Sequence, residues 1–422
     1  MSDSRPLPES EEAPATGKIN DPYAVLRNRD FVLYLVGRFI ASFAQQALAV
    51  TVGWEIYERT GSKLALGFVG LVQMVPMFLF IFPAGHVADN YDRKKIVLWM
   101  QLLTGVACAG LTLVSYFQAK VFLMYCCLFL MGVARTYLWP ASSSFMPQLV
   151  PRQQFPKAVT WMSGSFQVSA VTGPVAGGIA VALTHGAVWV YAFNFVAAIV
   201  CAVMIGMVRT HHSVATKEKM SFKSVAAGLK FVFRHQIILG SISLDLFAVL
   251  LGGASALLPV YAKDILHVDA RGLGWLQAAL PLGSVLMSVI LVHRPPLQKA
   301  GRTLLWAVAG FGMATIGFGY STWFWFSFLM LFICGLTDYI SVVVRHTLVQ
   351  LLTPDEMRGR VSAVNSLFIG TSNQMGEFES GIVAHYLGSV FAVVSGGVGT
   401  IIVVALAAWM WPEIRKYGRL DA

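Results

Sequence analysis

Long apolar runs recur along nearly the whole chain, and no other feature constrains the fold as much. Twelve of them centre near residues 31–57, 63–84, 96–117, 120–146, 158–183, 187–208, 237–262, 272–292, 303–320, 323–350, 361–385 and 388–411. Each is long enough to cross a bilayer core as a helix, which takes roughly 20 mostly apolar residues. Charge is correspondingly scarce: 12% of the 422 residues are Asp, Glu, Lys or Arg, against about 25% in an ordinary soluble domain. Too few charges remain to cover a water-facing surface, which argues against large soluble enzymes, nucleic-acid binders and disordered chains. The expected fold is an all-α polytopic membrane protein with 12 transmembrane helices in two pseudo-symmetric six-helix bundles.

Basic residues orient those helices. Of the 31 Lys and Arg residues, 23 fall on the side that carries the N-terminus and only five, Arg59, Lys63, Lys120, Lys263 and Arg271, on the other. Positive charge collects on the cytoplasmic side, so both termini are expected in the cytoplasm and the protein in the cell (inner) membrane. The net charge of +10 is then a topology signal and not a nucleic-acid footprint. Residues 1–22 are polar, lack an apolar signal segment and read as a disordered cytoplasmic tail. The longest internal polar stretch, 209–236, separates bundles at 23–208 and 237–412, with 413–422 as a second tail. Within it Phe222, Val225, Leu229 and Val232 recur at helical spacing, either as a helix on the anionic inner leaflet or as a solvated linker. Cys108, Cys126, Cys127, Cys201 and Cys334 all lie in apolar stretches without metal-ligand spacing, so neither a metal nor a cofactor is expected.

The two halves repeat. At an offset of 207 Gly67 meets Gly274 and His86 meets His293; at 203, Gly132 meets Gly335, Pro151 meets Pro354, Gly173 meets Gly376 and Gly178 meets Gly381. The repeat also relates charges in the membrane: Arg38 to Asp245, and Arg135 to Asp338. With Arg345, Glu377 and Glu379 these make three buried cations and four acids. A charge at bilayer depth costs at least about 2.5–3.5 kcal/mol, so such groups pair or face a polar cavity. Two readings stand: fixed salt bridges clamping the halves together, or a central cavity that binds substrate and protons. Recurrence in the first, fourth, seventh and tenth spans favours the cavity. Gln45, Gln46 and Trp139 join Arg38, Arg135, Asp245, Asp338 and Arg345 as the expected substrate site. Proton candidates are Asp338, Asp245, Glu377 and Glu379, because protonation removes a buried charge and can bias one conformation.

The loop after the second span carries Gly85, Asp89, Arg93 and Lys94 in an arrangement that resembles the G-x-L-a-D-r-x-G-r-k motif of the major facilitator superfamily. Val87 is a mild change, and Asn90 and Asp92 depart from the usual residues. Asp89 and Arg93 stand at i,i+4 and can pair; otherwise these charges only anchor an inner loop. The resemblance implies the major facilitator fold and a gating latch between Asp89 and the start of the eleventh span, where Thr353 to Glu356 has capping-box spacing. Gly164, Gly173, Pro174, Gly177 and Gly178 are similar to the G(x8)GPxxGG motif of proton-coupled drug exporters. Such residues suit either a pliable hinge or a plain packing face. The run Ser372–Gly381 is similar to one in the secretion-effector branch, which includes enterobactin-exporter-like proteins.

These readings converge on a secondary active transporter working by alternating access, exporting amphipathic, drug- or siderophore-like small molecules against protons. Its expected partners are a small-molecule substrate, the proton and the lipid bilayer, with no nucleic acid, and it is expected to work as a monomer. The rivals are a symporter or facilitator importing a small organic anion on the three arginines and, from another class, a non-transporting sensor. An enzyme is not expected: the chain has no Walker loop, zinc spacing or G-x-S-x-G elbow.

Overall fold

The computed structural model describes residues 23–209, 222–294, 298–416 and 418. The expected tail at 1–22 and most of the linker before Phe222 lie outside them. Among the described residues there are helices and no strands. The first six long helices are α1 (Arg29–Thr60), α2 (Lys63–Asn90), α3 (Arg93–Tyr116), α4 (Val121–Phe145), α5 (Phe155–Thr184) and α6 (Val188–Met207). A linker helix, α7 (Phe222–Arg234), leads to α8 (Gln236–Leu251) and the short α9 (Leu258–Val260). The rest are α10 (Ala270–Val292), α11 (Ala300–Gly319), α12 (Phe324–Leu352), α13 (Asp355–Leu387), α14 (Ser389–Met410) and the short α15 (Pro412–Lys416).

Polar caps set several of these boundaries. Asn28 accepts from the Asp30 and Phe31 amides, Ser62 from Ala65, Asp92 from Lys94, and Asp269 from Arg271 and Gly272. Each satisfies amides left unpaired in a first turn. The surface between the ends is apolar: Trp189, Phe122, Trp306 and Trp409 are all about two-thirds exposed or more. A monomer in water does not sustain such a belt, so the chain is a multi-pass membrane protein.

Ten helices, counting α8 through the turn after α9 as one, are long and apolar enough to span a membrane. The expected ninth and eleventh spans, α11 and α13, are not among them. Their lengths are about 30 and 50 Å at 1.5 Å per residue, but α11 is rich in Gly, Ala and Thr, and α13 is polar along much of its length. α11 packs against α12 and α14, and α13 against α2 and α8.

The seventh span is interrupted, contrary to the expected continuous run. After α8 come Gly252 and Gly253, a 3-10 turn at Ala254–Leu257, α9 and a π-turn at Tyr261–Ile265. The break accommodates α13, because a Cβ on Gly253 would collide with the Gly376 backbone and the Ser380 side chain.

The linker carries the helix α7. Leu229 and Val232 of α7 pack with Ile238, Ile242, Val361 and Val364 of α8 and α13. Gly228 closes on the Arg360 backbone. This part of its apolar face therefore lies against protein, and the side chains of Phe222 and Val225 lie outside the described residues. In α15, Ile414 is buried and closes on Gly240 of α8.

α1 to α6 pack mainly with one another, as do α8 to α14, and two helix pairs join the sets: α2 with α13 and α5 with α10. Their closest approaches are related by the sequence repeat. A Cβ on Gly67 would stand 3.1 Å from the Gly381 Cα, and one on Gly178 would stand 3.1 Å from the Gly274 Cα. Only a residue without a side chain lets two backbones meet so closely. Both contacts lie toward the face bearing the α1–α2 loop, opposite the face bearing the described termini.

Candidate functional site

At the joined face the two repeat-related residues Tyr57 and Asp264 meet, the Tyr57 hydroxyl donating to the Asp264 carboxylate. One residue earlier on the π-turn, the Lys263 ammonium stands 5.9 Å from the centre of the Trp54 ring. α1 is thus held to the π-turn by a hydrogen bond and a cation–π contact, beside the two glycine contacts. The repeat offset of 207 already pairs Tyr57 with Asp264. Sequence reasoning missed that equivalent residues can meet on a pseudo-two-fold axis.

A second missed cluster lies just inside the same face. Glu55, 5% exposed, accepts from the Ser115 hydroxyl at 2.7 Å and the Tyr191 hydroxyl at 2.7 Å. Arg59 completes it with an ion pair at 2.5 Å and bonds to the Ala119 and Ser115 carbonyls. This network ties α1, α3 and α6 together. Glu55 and Arg59 stand at the rim of the first apolar run, and α1 carries on through both to Thr60.

The expected substrate residues divide into two groups. Asp245 of α8 and Arg345 of α12, both under 9% exposed, form an ion pair within the second bundle. A fixed salt bridge therefore exists, but it joins neighbouring helices of one half and does not clamp the halves together. Arg38 makes no ion pair with Asp245 and lies near Tyr34 and Cys201. Asp338 is half-buried and stands two turns before Arg345 on the same helix.

The other group lies nearer α13 or on the first bundle. Glu377 of α13 lies so close to α2 that a Cβ on Gly70 would be 2.7 Å from its Oε2. The charge of Arg135, on α4, reaches it from the other bundle. Arg135 is exposed, and Trp139, one turn further along the same face, is 69% exposed. Gln45 is exposed on α1, whereas Gln46 packs against Gly173 of α5. Glu379, two residues beyond Glu377, points elsewhere and accepts from the Ser380 hydroxyl at 3.4 Å. The structure thus brings Arg135 within electrostatic reach of Glu377 at the α2 seam, and pairs Asp245 with Arg345 in another place.

The loop after α2 shapes the ends of the helices around it. The helix breaks at Tyr91 and Asp92, so the i,i+4 helical geometry assumed for Asp89 and Arg93 is absent; the Asp89 side chain lies outside the described residues. Asp92 is the cap of α3, which accounts for its departure from the motif. The Lys94 ammonium donates to the Gly206 and Val208 carbonyls at 2.8 and 2.7 Å, closing the end of α6. Gly85 is buried and Arg93 half-buried. The capping box expected at Thr353 does not form: Pro354 takes the cap position of α13, and the buried Thr353 hydroxyl has no partner. Thr353 ends α12, and a two-residue joint leaves it no room to turn back.

In α5, Gly173, Pro174, Gly177 and Gly178 are buried, and the helix runs unbroken through Pro174. Gly173 and Gly177 pack on α1 and Gly178 on α10, while Gly164 has open space beside it. In this state the segment serves as a packing face.

The family profile described as Major Facilitator Superfamily matches residues 34–376. The enterobactin exporter EntS of Escherichia coli O1:K1 / APEC is 23% identical over 392 residues, covering 92% of this chain and 93% of that protein. EntS of Citrobacter koseri is 24% identical over the same shares. Among solved structures, a bacterial homologue of the human lysosomal transporter Spinster, inward-facing and unoccupied, superposes with a TM-score of 0.72 at 14% identity, over 92% of this chain and 98% of that one. An inward-facing bacterial homologue of the iron transporter ferroportin gives 0.71 at 16% identity, over 92% and 99%. These likenesses concern the fold.

Proposed function

Because the chain belongs to the major facilitator superfamily, and is therefore a transporter of small molecules and not an enzyme, we propose that it exports amphipathic small molecules in exchange for protons. The observation that carries this reading is the position of Glu377, a half-buried carboxyl pressed against α2 at the junction between the bundles, with Arg135 as its cross-bundle cation. A neutral carboxyl is cheaper to bury than a carboxylate. Protonation therefore favours the state in which α2 and α13 are closed on each other. Loss of the proton favours the state in which they part and Glu377 meets water.

With both termini in the cytoplasm, the closed seam faces outward, and a proton taken from outside lets it shut. Release of that proton inward, together with substrate binding, reopens the seam outward. Trp139 and Gln45 supply aromatic and amide contact to substrate, and Arg38, Arg135 and Asp338 supply charge. The exporter names among the relatives support the direction, and siderophore-like molecules are candidate substrates beside drug-like ones. The chain works as a monomer in this scheme, in the inner membrane.

The three arginines favour one second reading, import of a small organic anion with a proton. An anion taking Arg135 would leave Glu377 to accept the proton. The two differ in the sign of one effect. An uncoupler added to cells loaded with fluorescent amphipathic dyes should slow dye efflux relative to a strain lacking the gene. Slowed uptake of organic anions with unchanged dye efflux would instead establish the importer.

A further inference from the structure

On the lipid-facing side of the second bundle, α11 and α12 enclose a cleft of about 500 Å³ that the transport cycle above does not use. The cleft exists because the two helices touch at Gly310 and Thr337, where a Cβ on Gly310 would stand 3.1 Å from the Thr337 side chain. From there toward the termini-bearing face the cleft runs along the outer side of the pair. On α11, Lys299, Arg302, Thr303 and Trp306 recur at spacings of three and four and so line one side. Thr337 and Ile340 of α12 close the apolar end. None of the described residues lining the cleft is acidic.

The chemistry is graded along the stripe. Lys299 and Arg302 are exposed at its mouth, Trp306 is 74% exposed one turn deeper, and the wall beyond is apolar apart from the Thr337 hydroxyl. That hydroxyl is turned back onto the Ile333 and Cys334 carbonyls of its own helix, so it offers the cleft a methyl surface. Two cations at headgroup level, an amphipathic aromatic at the interface and an apolar slot beneath match one kind of molecule end to end. A soluble anion would leave the apolar end unused, and an uncharged lipid would leave both cations unused.

We propose that this cleft is a binding site for an anionic phospholipid of the inner leaflet, its phosphate between Lys299 and Arg302 and one acyl chain against Trp306 and Ile340. The leaflet follows from the orientation proposed above, which places the start of α11 on the cytoplasmic side. Juxtamembrane basic residues attract anionic headgroups additively, and two of them correspond to a preference on the order of ten- to thirty-fold over a zwitterionic lipid.

The test is native mass spectrometry of the full-length protein in detergent, titrated with phosphatidylglycerol and, separately, phosphatidylcholine. The wild type should retain phosphatidylglycerol about ten-fold better or more. Lys299→Ala with Arg302→Ala should lose that preference. The charge-preserving pair Lys299→Arg with Arg302→Lys should keep it, as should Lys230→Ala with Arg234→Ala on α7. Equal retention of the two lipids by the wild type, or an undiminished preference in the double alanine variant, overturns the site. The leaflet is read independently, by maleimide labelling of Gln298→Cys in cells. Labelling only after permeabilisation supports the inner leaflet. Labelling of intact cells overturns the leaflet and the orientation while leaving the headgroup preference to stand or fall by itself.

Discussion

Two acid–base combinations in this protein have opposite surroundings. Asp245 and Arg345 contact each other on neighbouring helices of the same bundle, both nearly inaccessible. Glu377 and Arg135 sit on different bundles, one against the α2 seam and the other exposed. The first pair keeps its geometry as long as its bundle moves as a rigid body. The second changes whenever the bundles rock. The comparison teaches that a charge in the membrane is a candidate for coupling when its partner lies across the moving boundary. Depth alone does not qualify it.

That contrast can be broken most violently at the static pair. Asp245→Asn should leave Arg345 buried without its counter-charge and destabilise the protein by about 3–5 kcal/mol. Replacing both, as Asp245→Leu with Arg345→Met, should restore much of the loss, because a well-packed apolar pair substitutes for a buried ion pair at little cost. Thermal unfolding in detergent reads both. A double variant as unstable as the single one would mean that the pair has a role beyond charge compensation.

A smaller effect is expected at the seam. Gly178→Val would press a side chain into the α10 backbone at Ala270 and Gly274, an overpacking that costs about 1–3 kcal/mol in this state and less in one where the seam is open. Labelling of Trp139→Cys from the termini-bearing face should fall accordingly. Unchanged labelling would separate the glycine motif from the conformational change. The smallest effect should come from Tyr57→Phe, which removes one hydrogen bond to Asp264, worth about 0.5–1.5 kcal/mol. The same labelling should shift in the same direction, by roughly two- to ten-fold in the underlying equilibrium.

Much of this architecture was legible in the sequence because it depends on composition over long windows. Apolar runs mark the spanning helices to within a few residues, and the offsets of 207 and 203 foretell that the Gly67–Gly381 and Gly178–Gly274 contacts are equivalent. The exceptions have local causes. The break after Leu251 follows from close approach of α13, which no property of residues 252 and 253 alone reveals. Helix facing was the larger loss. In helices that are apolar all round, periodicity does not say which side a lone Asp or Arg occupies, so Asp245 was aligned with Arg38 when its partner is Arg345. Glu55 escaped notice because it sits at the rim of a run, where a charge is unremarkable until its hydrogen bonds are seen. Asp92 and Lys94 matched or missed a gating motif in the sequence; in the structure their nearer work is ending one helix and starting another.

The central claim, that protonation of Glu377 sets which face is open, can be tested without knowing the substrate. Spin labels at Tyr91→Cys on the α2–α3 loop and Ser362→Cys on α13, both exposed positions on the termini-bearing side, report the opening between the bundles. Lowering the pH should lengthen the distance in the wild type, because the proton favours the closed seam at the opposite face, and raising it should shorten the distance. Glu377→Gln should hold the long distance at every pH, whereas Asp245→Leu with Arg345→Met should follow the wild type. A Glu377→Gln protein that tracks the wild-type pH response would contradict the account.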